Sequence, residues 1–248
     1  MLRREVPTVG GRLADAGREN NFDFLRLAAA TAVIVSHSFD VTGRPEPLLH
    51  ATGHDTLGWL AVEVFFAVSG FLVTRSMAEG PGLAAFARNR ALRILPGLAA
   101  AVLFAALVIG PLCTRMRLRE YFRSEFLRDF FLGPNALHPT FCILPGTFWD
   151  HPNNRVSETL WTLPMEAAMY VLVAAAGVCG LLTRWGRWAV AGAWAGAVLY
   201  ETQWLCRPAD EWWFELGGFL LVKPALKFGG CFLAGACLYL FRGRVPLS

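Results

Sequence analysis

The chain has 248 residues, 55% of them hydrophobic and 17% charged, with a formal net charge of +4. Soluble domains carry about 25% charged residues, so the deficit excludes an ordinary soluble core and predicts a polytopic membrane protein. The small positive excess is almost all arginine, clustered at the ends of apolar runs. It reads as membrane topology and excludes nucleic acid as a partner.

Residues 1–20 are polar, carry Arg3, Arg4, Arg12 and Arg18, and read as a cytoplasmic tail. They lack an early apolar core and a small-residue cleavage site, so no cleaved signal peptide is expected. Residues 21–248 read as one membrane domain, an all-α transmembrane bundle of about six to eight spans. The apolar runs fall at about 22–39, 56–74, 94–113, 160–182, 187–205 and 225–241. Between the third and fourth, 114–159 is interrupted by Pro134, Pro139, Pro145 and Pro152, and interfacial or re-entrant structure is expected there. Residues 212–222 are apolar but short. An even number of spans puts both termini on one side, with the N-terminus inside, although the arginine bias is weak. The six cysteines show no metal-ligand spacing and read as free thiols, Cys113 and Cys142 being able to pair in an oxidising compartment. His50, His54, His138 and His151 share no spacing that suggests a metal site.

The first span, FDFLRLAAATAVIVSHSF, carries Arg26 and His37 eleven residues apart. At 100° per residue they share one face, roughly 16 Å apart along the axis. A charge within a span costs at least about 2.5–3.5 kcal/mol at the bilayer centre, so both residues need a reason to be there. With the N-terminus inside, Arg26 lies near the inner surface and His37 near the outer one. Glu63 and Glu166 then fall on neighbouring spans at about the level of His37. A histidine oriented by a carboxylate is the layout of a general base acting on a hydroxyl; a buried ion pair that merely ties three helices together is the structural alternative. On the inner side, Arg90 and Arg93 are expected where the third span begins, with Pro96 in its first turn. Two guanidinium forks there suit phosphate or lipid headgroups. Ser69-Gly70 reads as a small-residue helix contact, and Trp161 as a belt residue or a substrate platform.

FDFLRLAAATAVIVSHSF, GWLAVEVFFAVSGFLVT, RALRILP and LPGTF followed by LWTLPMEAAMY come in an order that resembles the acyltransferase-3 family of integral membrane acyltransferases. The resemblance implies transfer of an acyl group, most often acetyl from acetyl-CoA as the donor substrate, to a hydroxyl of a surface glycan or lipid-linked saccharide. In that reading the protein sits in the bacterial inner membrane among lipids and holds no bound cofactor or metal. His37 is the base or transient acyl carrier, Glu166 and Glu63 orient it, Arg26 guides the donor's arm, Arg90 and Arg93 hold CoA phosphates, and Trp161 faces the acceptor. Members of the family have about ten spans, so the resemblance also implies that this chain is incomplete at its C-terminus. A proton-coupled transporter and an inactive membrane fragment are the competing readings; a transporter is expected to show paired inverted repeats, and none is visible.

Overall fold

The structure is a computed structural model that describes residues 21–135, 143–151, 154–156, 158–204, 215–216 and 220–246, together with Val9. The expected tail 1–20 apart from Val9, His138, Cys142 and residues 205–214 lie outside the described residues.

Helix α1, Phe22–Thr42, stops at Gly43, whose left-handed backbone (φ 66) caps the last turn. A short helix α2, Pro47–Thr52, follows, and then α3, Leu57–Glu79. The buried carboxylate of Glu46 caps both: Oε2 accepts from the Leu49 amide at 2.7 Å and Oε1 from the Leu57 amide at 3.3 Å. Thr56 Oγ1 takes the Trp59 amide at 3.2 Å, so two of the orphan donors at the start of α3 are satisfied by side chains. Helix α4, Leu83–Phe104, continues through a π-helical turn at Ala105–Ile109 to Cys113. Two short helices, α5 (Leu118–Tyr121) and α6 (Glu125–Asn135), precede a 3₁₀ turn at Glu158–Thr162. The chain then forms α7 (Leu163–Val178), α8 (Arg187–Trp204), an antiparallel pair of two-residue strands, Glu215–Leu216 with Leu220–Leu221, and α9 (Val222–Leu240).

Side-chain contacts fix the helix directions. Phe22 stacks near Phe71 at 5.3 Å, and Ser36 lies against Gly58, so α1 and α3 are antiparallel. Lys227 reaches Asp55 and Glu63 at one end of α3, while Tyr239 Oη donates to Glu79 at the other, so α9 runs parallel to α3. Trp161 beside Trp59 and Gly177 beside Met77 make α7 parallel to α3 as well. Helix α4 opposes α7, and α8 opposes α9 through the Trp188–Phe241 contact at 5.0 Å. Thus α1, α4 and α8 run one way and α3, α7 and α9 the other. Helix α3 is the hub, and its approach to α9 is set by glycine: a Cβ on Gly70 would meet the Phe232 carbonyl, and one on Gly235 the Ala67 carbonyl. This bears out the small-residue reading of Gly70. The core between α3, α4, α7 and α9 is built from Phe66, Val73, Phe86, Met165, Tyr170, Phe228 and Phe232.

One expectation needs correction. The third span is a helix from Leu83 onward, so Arg90 and Arg93 lie well inside it and Pro96 is a helix-interior proline, not a first-turn one. Polar residues across 88–90 hide the helix from a hydropathy reading, and Pro96 sits in its interior without ending it. Among the described residues four helical stretches are long and apolar enough to cross a membrane, Phe22–Thr42, Leu57–Glu79, Leu83–Cys113 and Thr159–Val178, while Pro224–Leu240 is apolar but shorter. Helix α8 falls short because Arg187 and Glu201-Thr202-Gln203 trim its apolar stretch. After α4 the chain packs back on it: Tyr121, Leu127, Phe130 and Leu144 dock on Leu98, Val102 and Ala106.

Gly70→Ala should lower thermal stability in detergent by an amount equivalent to about 1–3 kcal/mol, the usual cost of overpacking, and Gly235→Ala should do the same. Gly97→Ala, which has open space around it, is the control expected to leave the melting temperature unchanged.

Candidate functional site

A cavity of about 390 Å³ opens where α1, α3, α4 and α7 meet. Val62, Phe65 and Phe66 of α3, with Ile94, Leu98, Leu160 and Leu163, make its walls apolar. Its polar groups are Arg26 of α1, Ser69 of α3, Arg93 of α4, and Glu166 with Thr162 at the head of α7. Two guanidiniums and one carboxylate on apolar walls leave an excess of positive charge where the dielectric is low, which favours an anionic or strongly dipolar ligand.

Each group is placed by a local feature. Pro164 sits in the first turn of α7, and Glu166 follows there, where a carboxylate is favoured by the helix dipole. Tyr170, one turn further and buried, donates its hydroxyl to Glu166 Oε1. Arg90 lies over the Tyr170 ring at 5.5 Å and the Phe86 ring at 5.8 Å, and its buried Nε has no hydrogen-bond partner among the described residues. Arg93, one turn along α4, faces the cavity itself. The pair Arg90–Arg93 thus reaches Glu166 from two sides, once through Tyr170 and once across the cavity.

Arg26 lies deeper than the sequence suggests. Phe22 pairs with Phe71, eight residues before the end of α3 at Glu79, so α1 starts about 12 Å short of that end. Arg26 is therefore level with the middle of α3 and shares the cavity with Glu166, which the sequence reading had put near the opposite surface. His37 lies outside the cavity lining. It sits at the far end of α1, level with the start of α3, with its side chain 32% exposed and Nδ1 3.3 Å from Asp40 Oδ2 on its own helix. Between Arg26 and His37 the same helical face carries Ala30 and Val33. No side chain on that face between them is larger than valine.

The expected partnership of His37 with Glu63 and Glu166 is not what the structure holds. Glu63 pairs with Lys227 at 2.8 Å, and Lys227 also meets Asp55 at 2.8 Å. His37 is paired with Asp40 on its own helix. Trp161 packs against Trp59 at 5.6 Å and Phe228 at 5.9 Å, next to the cavity-lining Leu160 and Thr162. Four residues were missed. Asp40 and Tyr170 were detectable as i+3 and i+4 neighbours of His37 and Glu166, and Lys227 as a cation in an apolar helix that needs a counter-charge. Ser69 was read only with Gly70 as a packing residue, whereas it lines the cavity.

An all-helical membrane protein with a charged cavity between its spans is a class with many chemistries. The particular member is given by comparison: the chain belongs to the acyltransferase-3 family, whose model, described as an acyltransferase domain, matches residues 19–247. It is 31% identical over 165 residues to a protein named O-acetyl transferase of Shigella phage Sf6, covering 64% of this chain and 46% of that one. It is 33% identical over 195 residues to nodulation protein 10 of Rhizobium leguminosarum bv. viciae, covering 77% of this chain and 51% of that one. The chain thus spans about half the length of these relatives. No solved structure matches it.

If Arg26 and Glu166 share one cavity, they are energetically coupled. A double-mutant cycle with Arg26→Gln and Glu166→Gln, read by thermal unfolding in detergent, should give a coupling of about 1 kcal/mol or more. Additive effects would mean that the two charges do not meet.

Proposed function

We propose that this chain carries the transfer site of a membrane-embedded O-acyltransferase that moves an acyl group from acyl-CoA to a hydroxyl of a surface glycan or lipid-linked saccharide. The name of the phage relative favours acetyl as the group moved. The protein would lie in the bacterial inner membrane with its N-terminus in the cytoplasm, so that the donor enters from the Glu79 end and the acceptor meets His37 at the other. The observation that carries the reading is the convergence of Arg26, Arg93 and Glu166 on one cavity, with His37 further along the same face of α1.

In this mechanism the arginines hold the anionic donor, Arg93 and Arg90 taking the phosphates and Arg26 steering the arm. Glu166 keeps the guanidiniums aimed, a positioning role through Tyr170 and not a contact with the histidine. The donor's thioester reaches His37 along the face of α1 that carries Ala30 and Val33. Asp40 holds the Nδ1 proton, which makes Nε2 the basic nitrogen. As the acceptor oxygen attacks the thioester carbonyl carbon, Nε2 takes the hydroxyl proton. The C–O bond forms, the C–S bond breaks, and the imidazolium returns the proton to the departing thiolate. If the histidine carries the acyl group instead, Nε2 itself makes the first attack and the acceptor oxygen the second.

The test uses membranes containing the chain, acetyl-CoA and a saccharide acceptor, with product read by mass spectrometry. His37→Ala should lower kcat by about 10²–10⁴-fold, the usual yield of general base catalysis. Asp40→Asn should lower kcat about tenfold with KM unchanged, as loss of an orienting partner does. Arg93→Ala should raise the KM for acetyl-CoA about tenfold, the equivalent of one charged hydrogen bond. No acetyl transfer to any hydroxyl acceptor would sink the reading, and an unaltered KM in the Arg93 variant would return that residue to the scaffold.

A further inference from the structure

The segment that follows α4 has two contrasting faces. Inward, Tyr121, Leu127 and Phe130 are buried, and the Tyr121 hydroxyl donates to the Ala106 carbonyl at 2.8 Å in the π-helical turn. That turn distorts the regular helical ladder, and the phenol meets one of its carbonyls. Gly110 leaves the space the ring needs, since a Cβ there would meet the Tyr121 hydroxyl. The segment is therefore pegged to α4 in one orientation. Outward, that orientation presents Leu118, Phe122 and Phe126, four residues apart and 54%, 50% and 70% exposed.

Arginine is interleaved with this apolar row. Arg117, Arg119 and Arg123 are exposed, and among the described residues they have no carboxylate partner; Arg115 pairs with Asp150 and Arg128 with Asp129. Glu120 and Glu125 are exposed in the same stretch, where the arginines remain in excess. Trp149, next to Asp150 and 62% exposed, extends the same band. Apolar side chains, unpaired guanidiniums and an exposed indole along one short stretch are the composition of a segment lying in a membrane interface. Water does not suit the phenylalanines, and the hydrocarbon core does not suit the arginines.

We propose that residues 115–128 lie in the headgroup region of the leaflet on the His37 side, with Leu118, Phe122 and Phe126 in the acyl boundary and Arg117, Arg119 and Arg123 on anionic phospholipid phosphates. Charge complementarity commits this surface to an anionic lipid, because cationic forks match phosphate oxygens while exposed phenyl rings match acyl chains. The surface also accounts for the arginines that weaken the topological bias: they are held by headgroups instead of reporting a cytoplasmic loop. The inference needs the chain to be in a membrane and is independent of the reaction proposed above.

The test uses the full chain in nanodiscs of phosphatidylcholine alone or mixed with phosphatidylglycerol. A bimane fluorophore on Phe126→Cys, corrected for label on the chain without that substitution, should be quenched by lipids carrying a shallow spin label. Native mass spectrometry should show phosphatidylglycerol retained preferentially. The Arg119→Gln, Arg123→Gln double variant, which alters only exposed side chains, should lose that retention several-fold while its melting temperature in phosphatidylcholine stays unchanged. Absence of quenching at position 126 would overturn the proposal, by showing that water or another protein surface covers the row. Equal phosphatidylglycerol retention by the double variant would overturn the role of the arginines.

Discussion

A guanidinium at the mid-depth of a membrane helix is the constraint on which this structure depends. Arg26 lies level with the centre of α3, because α1 begins about 12 Å short of that helix's end. A cation held there costs several kcal/mol unless it is paired or solvated in a cavity. Asp23, one turn back on α1, lies 3.9 Å from the Arg26 guanidinium, and Glu166 of α7 lines the same cavity. Glu166 is in turn fixed by Tyr170, and Tyr170 by the Arg90 guanidinium over its ring. Charged groups of α1, α4 and α7 thus gather around one space.

The charged cavity and the histidine are set apart on α1. The cavity lies at Arg26, while His37 lies about three helical turns further along the face that carries Ala30 and Val33, with Asp40 beside it. The other acidic group, Glu63, serves a different purpose. It is half of the clamp that, with Asp55, seats Lys227 and fixes the start of α9 against α3, while Glu79 ties the far end through Tyr239 and Arg242.

Much of this was legible in the sequence because spans and charges leave strong marks there. The helical class, α1, α3 and α7, the shared face of Arg26 and His37, and the helix contact at Gly70 all follow from periodicity and small-residue logic. Depth was not legible. Counting residues from the ends of apolar runs assumes that every helix starts at the same plane, and α1 does not; this is why Arg26 and Glu166 were set apart. The beginning of α4 was hidden because Asn89 and the arginines around it break the apolar run without breaking the helix. Partners within a helix, Asp40 and Tyr170, were readable from spacing but were passed over in favour of distant carboxylates. The pairing of Glu63 with Lys227 joins residues far apart in the chain, and only the fold brings them together.

The proposed reaction needs the acyl donor in the cavity between α1, α3, α4 and α7. Photocrosslinking can locate it. An acyl-CoA with a diazirine in its acyl chain or pantetheine arm, irradiated with the chain in native membranes and mapped by peptide mass spectrometry, should label Val62–Ser69 of α3 and Ile94–Ala101 of α4. Excess unlabelled acetyl-CoA should abolish the labelling, and Arg93→Ala should weaken it. Crosslinks confined to other helices, or labelling of the cavity that acetyl-CoA does not compete away, would contradict the account.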